Sequence, residues 1–152
     1  MTAKTDYTII VDSREQKPWW NNCEVAGLKT GDYSIKGHEE HFAIERKSLP
    51  DLLQTLTSGH QRFKKELARA TQMRYFAILV EGSYSDMAKK KWANSWRSRV
   101  QGHTILSIVN TLRVKYGIQI IFASSRVEAK SIARGLMTAY MKIKWDDEQT
   151  TA

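Results

Sequence analysis

Three runs of this chain are apolar almost throughout: YTIIVD (7–12), YFAILVEG (75–82) and IQIIFA (118–123). A strand with one wet face alternates apolar and polar residues, whereas an unalternating strand is covered on both sides. The covering layers are legible too. Ile105, Leu106, Ile108, Val109, Leu112 and Tyr116 have helical spacing and run up to Gly117, a helix stop. Ser125 and Glu128 have capping-box spacing, and beyond them Ala129, Ile132, Ala133, Leu136, Met137 and Tyr140 share one helix face.

Shorter strands lie nearer the N-terminus. GDYSIKG (31–37) and HFAIERK (41–47) can pair as a hairpin. Ser48 then reads as an N-cap, with Pro50 tolerated in the first turn of a helix through DLLQTL. After Ser58-Gly59 comes a basic helix, HQRFKKELARATQM. Between Ser83 and Arg99 the pattern assigns no element. The predicted fold is α/β, a sandwich in which helices flank a mixed central sheet. One domain over residues 3–145 is expected, followed by a polar tail at 146–152.

With 152 residues, 41% of them hydrophobic, the chain can bury one core. No stretch approaches the ~18 to 20 apolar residues of a membrane span, and the N-terminus lacks a signal-peptide layout. A lone cysteine, Cys23, forms no internal disulfide and suits a reducing compartment, so a cytoplasmic setting is expected, or a nuclear one in a eukaryote. His38, His41, His60 and His103 have no zinc-like spacing with it. The net charge of +8 and the pI of about 9.6 fit either an anionic partner, nucleic acid foremost, or a solvated basic surface.

The chemistry concentrates at FAIERKSLPD (42–51). On a pleated strand Glu45 and Lys47 share one face, roughly 7 Å apart, while Arg46 points to the other. The hairpin can bring Asp32 beside Glu45, and the first strand ends in Asp12, with Glu15 three residues on. Carboxylates converging at strand ends repel one another and need a cation among them. Oxygen-only ligands suit Mg²⁺ or Mn²⁺ rather than zinc. Beside such an ion, Lys47 can neutralise charge on a pentacoordinate phosphorus and help deprotonate a water. The same residue types also occur as surface salt bridges in many α/β proteins.

VDSRE (11–15), GDY (31–33) and IERKSLPD (44–51) together resemble the XPF-type nuclease domain, the group that includes the archaeal Hef nuclease and eukaryotic flap endonucleases. Its signature of Gly-Asp, a gap, Glu-Arg-Lys, three residues and Asp is met at Gly31, Asp32, Glu45, Arg46, Lys47 and Asp51. The resemblance implies a restriction-endonuclease-like three-layer sandwich. It implies Asp32 and Glu45 as metal ligands, Asp12 and Glu15 on a second metal or water, and Lys47 as base or transition-state stabiliser. It places Arg14 and Arg46 near the scissile phosphate. Asp51 fits a helix-capping acid as well as it fits the signature.

For nucleic-acid contact, the sequence offers Lys89, Lys90, Lys91, Trp92, Arg97 and Arg99, bases interleaved with aromatics, which equally describe a helix with inward tryptophans. Arg62, Lys64, Lys65 and Arg69 can line the approach to Glu45, although Arg62 and Glu66 have the spacing of an intrahelical pair. Trp19 and Trp20 suit either a wedge at a DNA junction or the core. The expected activity is Mg²⁺- or Mn²⁺-dependent endonucleolytic hydrolysis of branched, flap or junction DNA, in recombination or repair, with no cofactor beyond the metal. Family members with appended helix-hairpin-helix or helicase modules contrast with this chain, which looks like a stand-alone phage or prophage version. Selectivity would then come from a protein partner or a homodimer, formed through the apolar stripe of 125–143 if that stripe does not simply cover the sheet. The alternatives are a non-catalytic DNA-binding subunit, and a restriction-type or junction-resolving nuclease of the same fold.

Overall fold

The computed structural model describes residues 6–89 and 101–145. Its strands are β1 (Ile9–Asp12), β2 (Glu24–Ala26), β3 (Tyr33–Ile35), β4 (Phe42–Ser48), β5 (Tyr75–Glu81) and β6 (Gln119–Ala123). The helices are α1 (Leu49–Leu56), α2 (His60–Ala70), α3 (Tyr84–Lys89), α4 (Gly102–Tyr116) and α5 (Arg126–Lys142). The strands form one mixed sheet in the order β2-β1-β3-β4-β5-β6. β3 is antiparallel to both β1 and β4, whereas β4, β5 and β6 run parallel, as their helical crossovers require.

The pleat divides the core between two layers. Ala43, Phe76, Ile78 and Val80 pack beneath α1, α2 and α4 through Leu52, Leu67, Ile105 and Val109. Phe42, Ile44 and Leu79 pack beneath α5 through Ala129, Ala133 and Met137. The apolar stripe of α5 therefore covers the sheet. Trp19 and Trp20 belong to the same layer, 4% and 7% exposed, and Trp19 stacks on Tyr33 at 4.6 Å. They are core residues, not a wedge at the surface.

Strand β4 feeds straight into α1. Ser48 has extended backbone and its hydroxyl accepts the Asp51 N–H at 3.2 Å, the N-cap the sequence predicts. The turn positions the end of β4, and hence Glu45 to Lys47, against α1 and α2. Two elements were not foreseen, the edge strand β2 and the six-residue α3. Among the described residues no helix is long and apolar enough to cross a membrane.

Candidate active site

The Gly-Asp step brings two acids together. Gly31 has φ +78°, and a Cβ there would stand 2.9 Å from the Ala43 Cβ and 3.1 Å from the Ile44 carbonyl oxygen. Only glycine lets this part of the chain adopt that conformation while lying so close to β4. Asp32 follows, with its backbone N–H donating to the Ile44 carbonyl at 2.9 Å and its carboxylate accepting the Arg46 N–H at 2.8 Å. The Asp32 and Glu45 carboxyl groups come within hydrogen-bonding reach of each other.

Glu45 points from the pleat toward α2, where it also meets Glu66. The Lys47 ammonium lies 3.4 Å from Glu45 Oε1. Burial and the neighbouring Glu45 carboxylate push the Asp32 carboxyl up to about 8, against the opposing Arg46 N–H. Glu45 is raised as well, by burial first and by its contact with Glu66. These are crowded carboxyls that hold protons in the absence of a cation. Lys47 and Glu66 look out on a cleft of about 250 Å³ that Asp51 and Arg62 also line.

In the sequence Glu66 stands out only as a partner for Arg62. The expected Arg62–Glu66 pair is not formed among the described residues; Glu66 Oε1 is instead buried without a hydrogen-bond partner. Asp32, Glu45 and Glu66 are the hard oxygen donors that a divalent cation takes. They meet as two touching pairs, and among the described residues no three such groups already surround a single point.

The other residues from the motifs have different surroundings. Asp12 is 3% exposed and its carboxylate accepts the Leu28 N–H at 2.9 Å and the Arg14 Nε at 2.8 Å. Burial alone would raise its pKa, but those hydrogen bonds outweigh it and hold the group low and ionised. Asp12, which the resemblance implies as a ligand of a second metal or water, fastens the loop of residues 13–28 through these bonds. Arg14 is spent on the same knot, also donating to the Leu28 carbonyl at 3.2 Å.

Arg46, expected near the scissile phosphate, lies on the opposite face of the sheet from Lys47. Its guanidinium is ion-paired with Glu81 and, at 3.4 Å, with Glu15, and it sits over the Trp19 ring. Glu81 additionally accepts the Trp19 Nε1–H at 3.0 Å. Glu15 is thus engaged with Arg46, though close enough to Asp32 to add to its repulsion. Glu15, Arg46, Asp51 and Glu81 border a second cleft of about 230 Å³. Asp51, exposed at the start of α1, stands at the edge of both clefts.

The basic candidates divide. On α2, Arg62 lines the cleft beside Lys47, while Lys65 is exposed on the solvent side. Lys64 is two residues from Glu66, about 160° round the helix, and faces away. Arg69 donates to the buried Thr30 hydroxyl at 3.1 Å and lines a larger cavity with Leu28 and Gln72. Lys89 is exposed at the end of α3. Lys90, Lys91, Trp92, Arg97 and Arg99 lie outside the described residues.

Comparison with known proteins bears on both fold and family. A family model described as the ERCC4 domain matches residues 6–134. The structure of XPF from Aeropyrum pernix is similar, with a TM-score of 0.67, 19% identity, and cover of 88% of this chain and 65% of that one. XPF from Aeropyrum pernix in complex with DNA gives a TM-score of 0.68 at 20% identity, covering 90% of this chain and 66% of that one. The chain thus spans a little under two thirds of those solved chains, and at these identities the likeness speaks for the fold. No curated protein matches it in sequence. The family match over most of the chain, the signature residues and the sheet order agree: the chain belongs to the ERCC4 domain family, with the restriction-endonuclease-like α/β fold of XPF.

Proposed function

We propose that this protein is a divalent-metal-dependent DNA endonuclease that hydrolyses phosphodiester bonds in branched, flap or junction DNA. The observation that carries this reading is the meeting of Asp32, Glu45 and Lys47 at the end of β4, beside an open cleft. DNA as substrate class is supported by the net charge of +8 and by the DNA complex of the similar Aeropyrum pernix XPF.

The residues present fit a metal. Their donors are carboxylate oxygens, burial disfavours their bare negative charge, and one buried carboxylate oxygen has no partner. Asp32 and Glu45 would hold Mg²⁺ or Mn²⁺. Such an ion supplies Lewis acidity at a phosphate oxygen and lowers the pKa of a water.

This chain's own residues do the rest. The Arg46 N–H fixes the Asp32 carboxylate in place. Lys47, anchored 3.4 Å from Glu45, presents a positive charge to the cleft, where a nonbridging phosphate oxygen gains charge during attack. Arg62 on the facing helix offers a second cation to the phosphate backbone. Preference for branched DNA rests on the XPF-type motifs. A digestion panel of labelled duplex, flap, fork and four-way-junction DNA, with manganese and with chelator, tests it. Metal-dependent nicking of the branched substrates supports the proposal; tight DNA binding with no nicking in any metal would mark a non-catalytic binding subunit instead.

A further inference from the structure

We propose that Glu66 of α2 is a third carboxylate arm on the divalent ion taken up by Asp32 and Glu45, so that the site is closed by a helix as well as by strands. This rests on the reading above that the site holds a divalent ion, and it assigns a ligand outside the signature motifs.

Several observations converge. Glu66 Oε1 is buried with no hydrogen-bond partner, in a protein whose other described buried side-chain polar atoms all have one. Leaving a buried carboxylate oxygen unpaired is unfavourable, and a bound ion is one way such a group is satisfied. Its carboxyl group meets that of Glu45, which in turn meets Asp32, so the three donors form a continuous row.

The alternative partner is declined. Arg62 stands one turn earlier on the same flank of α2, at the spacing of an intrahelical ion pair, yet no such pair is formed among the described residues. Glu66 turns inward instead. Its helix is also well anchored there, because Phe63 and Leu67, on either side of it, are 4% and 0% exposed. A side chain on so fixed an element is a ligand placed by packing rather than by chance.

Asp12, the acid that the motif pattern would put on a second metal or water, has both of its oxygens engaged. Its oxygens accept the Leu28 N–H and the Arg14 guanidinium, which leaves Glu66 as the better-placed third donor. Lys47 faces the same cleft as Glu66, so the ammonium and the ion would flank one phosphate.

The test is binding of Mn²⁺ to the full chain, without DNA, by electron paramagnetic resonance and calorimetry. Wild type, Glu66→Gln, Glu66→Asp and Asp32→Asn are compared, each first shown to be folded by circular dichroism. Both Glu66 variants are expected to bind Mn²⁺ about 10- to 100-fold more weakly. In Glu66→Gln the bound ion should also gain a water in place of the lost carboxylate, a signature that a purely structural role would not produce. If the Glu66 variants match wild type within twofold while Asp32→Asn loses binding, this inference fails and the proposed function stands. If Asp32→Asn also binds like wild type, or wild type binds no Mn²⁺, the proposed function fails with it. Should Glu66→Gln not fold, the Glu66→Asp result decides alone.

Discussion

Asp32 accepts the backbone N–H of Arg46 at 2.8 Å, while the Arg46 guanidinium is turned to the other face of the sheet and paired with Glu81. One residue thus steadies the acidic row with its main chain and ties β4 to β5 with its side chain. The Glu-Arg-Lys triplet is therefore divided by the pleat: Glu45 and Lys47 share the face toward α2, where Lys47 lines the cleft, and Arg46 braces the sheet behind them.

Replacing Arg46 by Met should act mainly on stability. It removes the guanidinium from the half-buried Glu81 and Glu15, which costs about 1–3 kcal/mol. Denaturant unfolding should show that loss while Mn²⁺ affinity stays within a few fold of wild type. A variant of unchanged stability with abolished metal binding would place Arg46 at the reacting centre instead.

Lys47→Ala should behave oppositely. With its ammonium gone from the cleft, kcat on a cleavable DNA should fall about 100- to 1000-fold. Metal affinity should hold or rise, since a cation beside Glu45 has been removed. Single-turnover kinetics at saturating Mn²⁺ measure this, and a change confined to KM would contradict it.

Gly31→Ala tests the approach of β3 to β4. The new Cβ would meet Ala43 at 2.9 Å in a backbone region with φ +78°, for a loss of about 1–3 kcal/mol. Because Asp32 is the next residue, Mn²⁺ binding should weaken as well. Calorimetry at a temperature where the variant is folded checks both parts, and normal metal affinity would separate the glycine from the site.

The metal-free protein should lose stability as pH rises. Asp32 has its pKa raised from 3.8 to about 8 in the fold, so between those values the folded state binds more protons than the unfolded one. Stability from this group is fully present below about pH 4 and lost by about pH 8. Glu45 is shifted in the same direction. With chelator present, Tm should fall by about 5 °C or more from pH 6 to pH 8.5, and Asp32→Asn should blunt the fall. Mn²⁺, competing with those protons, should raise Tm more at pH 8 than at pH 6. A Tm that climbs over this range without metal would refute the assignment.

The parts legible in the sequence were those set by local pattern. Strands β1, β5 and β6 stand out because both of their faces are buried, and the opposition of Arg46 to Lys47 follows from pleat parity. The nearness of Asp32 and Glu45 follows from a hairpin between adjacent segments. What escaped depends on distant parts of the chain. Strand β2 is three residues long, largely exposed, and exists through its pairing with β1. Helix α3 buries only Met87, too little to give a periodic signal. Asp12 looked available because its occupation depends on Leu28 folding back over it. Glu66 looked like half of a surface ion pair, and only the docking of α2 on β4 turns it toward Glu45.

The central claim is that Asp32 and Glu45 share one hard divalent ion. Anomalous diffraction from a crystal soaked in Mn²⁺ tests it directly. The account predicts one strong peak within about 2.3 Å of a carboxylate oxygen of each residue, on the Lys47 side of the sheet. A peak found only among Glu15, Glu81 and Asp51, or none near Asp32 at saturating Mn²⁺, would contradict it.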